Sequence, residues 1–307
     1  MSPAPGGEIA LAVKSPMSLA RYVESHRSIE WKTVRNALGL GESSYWLAPC
    51  GSNFPAAEAR CSTEAITTTR PDQVIVVIRG GVDSYAVEYL RYLRDANGGW
   101  SFSGENSALQ RNAPSDRKLL SIWNEPFLAI SSDHSQTGVA TGQMREEWFD
   151  LTQPGFEPVF SFTVDGSQSH FGFGVGRTVH ATCNVNQTAN TQIIELTLNI
   201  HFDGVGLDQQ SAYLGVYERR ADEKTFKLHS ASAGLDRRQP IPVKDFADLA
   251  DPFSAIANEK LLVLAFSGLK KIATGSNSDA REWLSSVLRH TADTPEKRSL
   301  INLLTKP

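Results

Sequence analysis

The chain has 307 residues, of which 40% are apolar and 21% charged, and its net charge is −4. This is the composition of a soluble globular protein with room for one or two domains, and its mild acidity excludes a bulk field that would draw nucleic acid or an acidic membrane. The longest apolar runs, such as Leu261-Leu262-Val263-Leu264-Ala265-Phe266, fall far short of a bilayer span, so no transmembrane segment is expected.

Met1 to Val13 lacks a basic start and holds only a short apolar run, Ile9 to Val13, so it does not read as a signal peptide and the expected location is cytoplasmic. From Ser15 to Leu40 the spacing is helical. Ser15-Pro16 supplies a cap and a first-turn proline, Leu19, Tyr22 and Val23 share a face, and Trp31, Val34 and Leu38 continue in a second helix. Ser43 to Arg70 reads as loop with one strand at Tyr45–Ala48. Within it Cys50 and Cys61 bracket a stretch rich in Gly, Ser, Asn, Pro and Ala. Two readings stand for them: a disulfide, which together with a processed start would place the protein outside the cytoplasm, or two reduced thiols.

Gln73–Arg79 is β-branched and apolar on both faces, which predicts a central strand. Ala86–Arg94 fits helix or strand alone. The Asp95-Ala96-Asn97-Gly98-Gly99 turn signal and the alternating Trp100-Ser101-Phe102 after it favour a hairpin over a calcium loop, which would need a sixth-position glycine and a closing Glu. Short strands follow at Lys118–Trp123 and Pro126–Ser131. In Glu146-Glu147-Trp148-Phe149-Asp150, strand alternation points the adjacent carboxylates to opposite faces, which argues against paired acid–base work.

Phe160, Phe162 and Val164 alternate with Ser161, Thr163 and Asp165. After Gly166-Ser167 the alternation resumes with Phe171, Phe173 and Val175 against His170, Gly172, Gly174 and Gly176. A two-residue II′ turn at Gly166-Ser167 would set Phe162 opposite Phe171 and Phe160 opposite Phe173, one face aromatic and the other polar and glycine-lined. Arg177 falls on the apolar face, which predicts a bulge near Gly176. Cys183 reads as a packed small residue. Asn186-Gln187-Thr188 matches a glycosylation sequon, a triplet common by chance. Thr191–Asp203 alternates cleanly, with Gln192, Ile194, Leu196, Leu198, Ile200 and Phe202 on one side. A second hairpin follows at Tyr213–Arg219 and Thr225–Leu228. After Gly234 a proline-bearing connection leads to a helical turn at Asp245–Leu249, an apolar helix or strand at Ala255–Ala265, a helix at Asp279–His290 capped by Asp279 with Glu282 behind it, and a last helix from Thr294-Pro295.

Helices, then strands, then helices predict an α+β class: an antiparallel β-meander sheet covered by N-terminal and C-terminal helices. The expected organisation is an N-terminal helical segment and loop over 1–72, a β core over 73–233 and a C-terminal helical segment over 234–307, in one compact unit. Phosphate-loop, dinucleotide, zinc-protease, nucleophile-elbow and EF-hand signatures are absent, as are CxxC and zinc-type Cys/His spacings.

One constellation remains. Pairing Ser169–Ala181 with Thr191–Asp203, apolar faces aligned, sets His201 opposite Gly172, or by one allowed step opposite His170 or Gly174. His170 then faces Thr163, with Ser161 and Asp165 diagonal to it. Two imidazoles with Asp165 or Asp203 are the residue types of a divalent metal site, and Ser161, His170 and Asp165 those of a nucleophilic triad. Thr163 beside the bare strand at Gly172 and Gly174 suits a ligand lying flat. A solvated sheet face predicts the same pattern. The sequence therefore favours a non-enzymatic module that binds a small molecule or a protein, with a hydrolase or metal-dependent enzyme on the polar face, or a structural role, as alternatives. No cofactor is indicated.

Overall fold

The computed structural model describes residues 5–26, 31–40, 61–79, 86–109, 117–134, 141–171, 175–233, 241–242, 262 and 265–305. They form an α+β fold with two antiparallel sheets and helices at both ends of the chain. The chain divides into two units: Met1–Asp133 with Glu147–Val159, and His134–Glu146 with Phe160–Pro307.

The first unit opens with α1 (Pro5–Ala12), α2 (Pro16–Ser25) and α3 (Trp31–Ala37). α2 starts as its sequence predicts: Ser15 is extended, its Oγ accepts from the Ser18 amide at 3.2 Å, and Pro16 opens the first turn. Gly6-Gly7 disguises α1, which is held by burial of Ile9 and Val13 rather than by propensity. The first sheet orders β1 (Ser62–Thr67), β2 (Gln73–Arg79), β3 (Ala86–Arg94) and β4 (Trp100–Leu109) as consecutive antiparallel neighbours. β1 lies in the stretch expected to be loop. It is an edge strand with a single buried side chain, Ile66, so it carries almost no hydrophobic period.

β2 is apolar on both faces because both are covered. Val76 and Ile78, with Leu90 and Tyr92 of β3, pack with Leu19 and Val23 of α2 and Trp31 and Val34 of α3. Ile75 and Val77, with Val87 and Tyr89, pack with Leu128 and Ile130, Phe149, Leu151 and Phe156. The β3–β4 hairpin closes as predicted. Asp95 Oδ1 accepts the amides of Asn97 and Gly99, each at 2.8 Å, and Gly98 has φ +83°. β5 (Arg117–Ile122) and β6 (Glu125–Asp133) are joined by Trp123-Asn124 at φ 54° and 62°.

Arg91, 1% exposed, ties this unit together. Its Nε and Nη2 donate to Gln73 Oε1 (3.1 and 2.9 Å), Nη2 to the Leu151 carbonyl (2.8 Å), and Nη1 to those of Gln153 (2.7 Å) and Gly155 (2.5 Å). Beside it the β3–β4 register shifts, and a Cβ added to Gly104 would stand 2.8 Å from Phe156 Cβ. Only glycine admits that side chain so close to the strand.

β7 (Thr141–Asp150) contributes to both units, the division falling between Glu146 and Glu147. In the second unit β8 (Phe160–Phe171), β9 (Val175–Gln187), β10 (Thr191–Gly204), β11 (Leu207–Arg220), β12 (Lys227–Ala233) and the short β13 (Ile241–Pro242) run as consecutive antiparallel neighbours. Ile194, Leu196, Leu198, Ile200 and Phe202 form the buried face, and Phe160 packs on Phe162, Tyr217 and Phe226 with ring centroids 5.4, 4.9 and 5.8 Å apart. α4 (Phe266–Thr274), α5 (Ser278–Arg289) and α6 (Pro295–Leu304) complete the unit. α4 meets β11 at Gly268, whose amide donates to Gln209 Oε1. α6 is capped by Thr294, as predicted. The α5 cap is Asn277, not Asp279: Asn277 Oδ1 accepts from the Ala280 amide at 3.1 Å, and Asp279 is in the first turn.

Among the described residues no helix is long and apolar enough to cross a membrane. Cys61 is disulfide-bonded and Cys183 is free. Cys50, Tyr45–Ala48, Asp245–Leu249 and all of Ala255–Ala265 except 262 and 265 lie outside the described residues.

Candidate functional site

The site predicted from the sequence depends on register, and the register differs. β8 runs straight through Gly166-Ser167, with Gly166 opposite Val179 and Ser167 opposite Thr178, so no turn forms there; Phe171 stands opposite Val175 rather than Phe162, and Phe173 lies outside the described residues. β9 and β10 pair continuously from Gly176 opposite Asp203 to Gln187 opposite Gln192. The physical reason is loop length. The predicted pairing leaves 182–190 as a connection, whereas the observed one uses that chain as strand and closes with a short loop, Thr188 N donating to the Thr191 carbonyl at 2.9 Å. No bulge falls at Gly176 on the β10 side; the irregularity lies between Gln168 and Phe171 of β8. Arg177 therefore does enter the apolar face, opposite Phe202.

His201 accordingly stands opposite Thr178 and Gln210, not opposite Gly172, His170 or Gly174. Its Nε2 lies 2.8 Å from Asp208 Oδ1. Asp203 and Asp208 face each other across the β10–β11 hairpin, both exposed. Asp165 faces His180, a residue the sequence reading did not single out, and its Oδ1 accepts the Gly166 amide at 2.9 Å. Ser161 and Thr163 turn toward β7. Ser161 Oγ accepts from Arg145 Nη2 at 2.9 Å, and Thr163, fully buried, accepts from Gln143 Nε2 at 2.9 Å. His170 is near the end of β8 with its side chain outside the described residues, as are Gly172 and Gly174. Among the described residues no three His, Cys, Asp or Glu side chains gather within reach of one metal ion.

What the register does assemble is a broad polar face. Successive rows across the strands read Ser167–Thr178–His201–Gln210 and Asp165–His180–Asn199–Ala212, and Thr182 stands beside Thr197. Thr178, His180, Thr182, Asn184, Asn199 and Gln210 are exposed. These side chains are short, and each can both donate and accept, with imidazole doing so through its two nitrogens. Neither Lys nor Arg occurs on this face from Thr178 to Asn184, Thr197 to Asp203 or Asp208 to Leu214. The reverse face is the apolar core, where burial pushes the Cys183 thiol up to about 12 and leaves it inert near neutrality.

The hairpin bordering this face turns through Gly204, Val205 and Gly206 with φ of 104°, 52° and 78°. A two-residue I′ turn demands positive φ at both centres, which Gly206 meets and a β-branched Val205 resists. The turn lies against α5, where a Cβ on Gly206 would come 3.2 Å from that of Ala280.

A separate feature of the first unit escaped the sequence reading. Glu88 of β3 is fully buried on the helix-facing side of the sheet, between Ile78 of β2 and Ser107 of β4. Ser107 Oγ donates to its Oε2 at 2.6 Å, while Oε1 accepts no hydrogen bond. Burial, reinforced by the Glu105 carboxylate and opposed by Ser107 and Arg35, pushes the Glu88 carboxyl up to about 8. Arg35 of α3 donates to Glu105 Oε2 at 2.5 Å. The only hint in the sequence is a charge inside a strand whose neighbours on that face, Leu90 and Tyr92, are core.

No protein-family model matches the chain, and no curated protein or solved structure matches it either.

Proposed function

We propose that the protein is a non-enzymatic binding module whose recognition surface is the exposed face of β9, β10 and β11. The observation that carries this reading is the set of hydrogen-bonding side chains ranked in rows around Thr178, His180, Asn199 and Gln210, edged by Asp165, Asp203 and Asp208 and free of lysine and arginine. Such side chains lose little rotamer entropy when a partner orders them, and a sheet holds them in fixed rows. Without lysine or arginine in its centre, the face suits a partner presenting uncharged polar groups, whether a small molecule or a protein, and not a polyanion.

The hydrogen bonding of Ser161 and Asp165 lends no support to the enzymatic alternative, because the Ser161 hydroxyl is held by Arg145 and Asp165 accepts the Gly166 amide. The test is a charge substitution. His180→Glu with Asn199→Glu puts two carboxylates on the face and leaves the core untouched. A ligand or partner identified with the unaltered protein should lose at least about tenfold in affinity to the double variant at equal thermal stability. Undiminished binding by the double variant overturns the assignment.

A further inference from the structure

We propose that Glu88 is a proton-binding site that holds α3 down on the four-stranded sheet: the neutral acid seals the layer, and loss of its proton releases the helix. Glu88 is 0% exposed, and its two carboxyl oxygens share one hydrogen bond, from Ser107. A neutral carboxyl tolerates this; an ionised one does not.

The groups around it decide the direction. β4 contributes Glu105, whose backbone partner is Leu90, the next residue of β3 on the same face as Glu88. α3 contributes Arg35, already engaged with Glu105. β2 contributes Val76 and Ile78, α1 Ile9, and α2 Leu19, Val23 and the half-buried Tyr22, whose phenol is the one titratable group among them. Tyr92, further along β3, donates its hydroxyl to the Val13 carbonyl at 3.2 Å. Among the described residues, one guanidinium thus stands against two carboxylates once Glu88 ionises. Relief lies in water, and the covering layer must lift to admit it. The shortest of its described helices is α3, with seven residues. That is too short to persist alone, and it is held by Trp31, Val34 and the Arg35–Glu105 pair. The Trp31 indole N–H, buried in the same layer, has no hydrogen-bond acceptor, so α3 gives up no such bond there on leaving.

The sign follows from linkage. The closed carboxyl holds its proton up to about 8, whereas a released Glu88 ionises in the ordinary range near 4.5. Between those limits opening becomes about tenfold easier per pH unit, then levels off.

Hydrogen–deuterium exchange of the full chain tests this, with peptides covering α3 followed from about pH 5.5 to about pH 7.5 and corrected for intrinsic exchange. In the unaltered protein, protection of α3 should fall by roughly a hundredfold over that range, and α5 should not follow. Glu88→Gln, neutral at every pH, should keep α3 equally protected throughout. A flat profile in the unaltered protein, an equally steep one in Glu88→Gln, or a loss shared equally by α5 overturns the proposal. If Glu88→Gln does not fold, carboxyl carbon NMR of the unaltered protein decides: one glutamate titrating above about pH 7 supports it, and all glutamates titrating below about pH 6 overturn it.

Discussion

Two buried charges in one unit show opposite answers to the same difficulty. Arg91 reaches five acceptor contacts, on Gln73 and on the carbonyls of Leu151, Gln153 and Gly155, so its burial is matched by hydrogen bonds. Glu88 has one donor and keeps its proton instead. The consequence is a stability that depends on pH in a defined direction. The folded carboxyl titrates near 8 and the unfolded one near 4.5. Below the lower value both states hold the proton; between the two only the folded state does. Stability therefore falls as pH rises through that window, by about 1.4 kcal/mol per unit, and flattens above it. Glu88→Gln should match the unaltered protein near pH 4.5 and exceed it by about 4 kcal/mol near pH 8, measured by urea unfolding at each pH. Equal stability of the two proteins at both pH values would show that the carboxyl is not held neutral.

At the level of elements, legibility followed period and local chemistry. β2 and β10 were readable because a doubly covered strand and a half-covered strand leave distinct apolar patterns, and α2 and α6 because Ser15-Pro16 and Thr294-Pro295 announce a capped start. β1, an edge strand with one buried residue, and α1, with its paired glycines, carry no such pattern and exist through tertiary packing. The β8–β9 turn was misplaced because Gly166-Ser167 satisfies local turn rules that the gain from pairing residues 182–187 overrides. Val205 is the converse, a residue its turn disfavours. Val205→Asn would create the Asn-Gly pair that a I′ turn prefers, and should raise stability by about 0.5–1 kcal/mol in thermal unfolding. A loss of stability instead would mean that the Val205 side chain contributes packing worth more than the strained φ costs.

At the scale of the whole molecule, the α+β class and the helix–sheet–helix order were legible, because they rest on which periods follow which. The polar face was legible as a face but not as a site. Its membership turns on a register six residues from the predicted one, and nothing local in Thr178 or His180 reveals which strand positions they face. Nor does the sequence announce that the first unit is discontinuous, closed by Glu147–Val159 after the chain has already begun the second. That feature fixes an order of events during synthesis. Until residue 155 has left the ribosome, Arg91 lacks three of its carbonyl acceptors and the space beside Gly104 has no Phe156 to fill it. A chain halted at 146 should therefore stay open to protease across β2 and β3, whereas one extended to 159 should become resistant there, the difference being the thirteen late residues Glu147–Val159. Resistance already present at 146 would show that the early strands close without them. The order of translation and the order of closure should thus differ, the early strands waiting for a segment made after them.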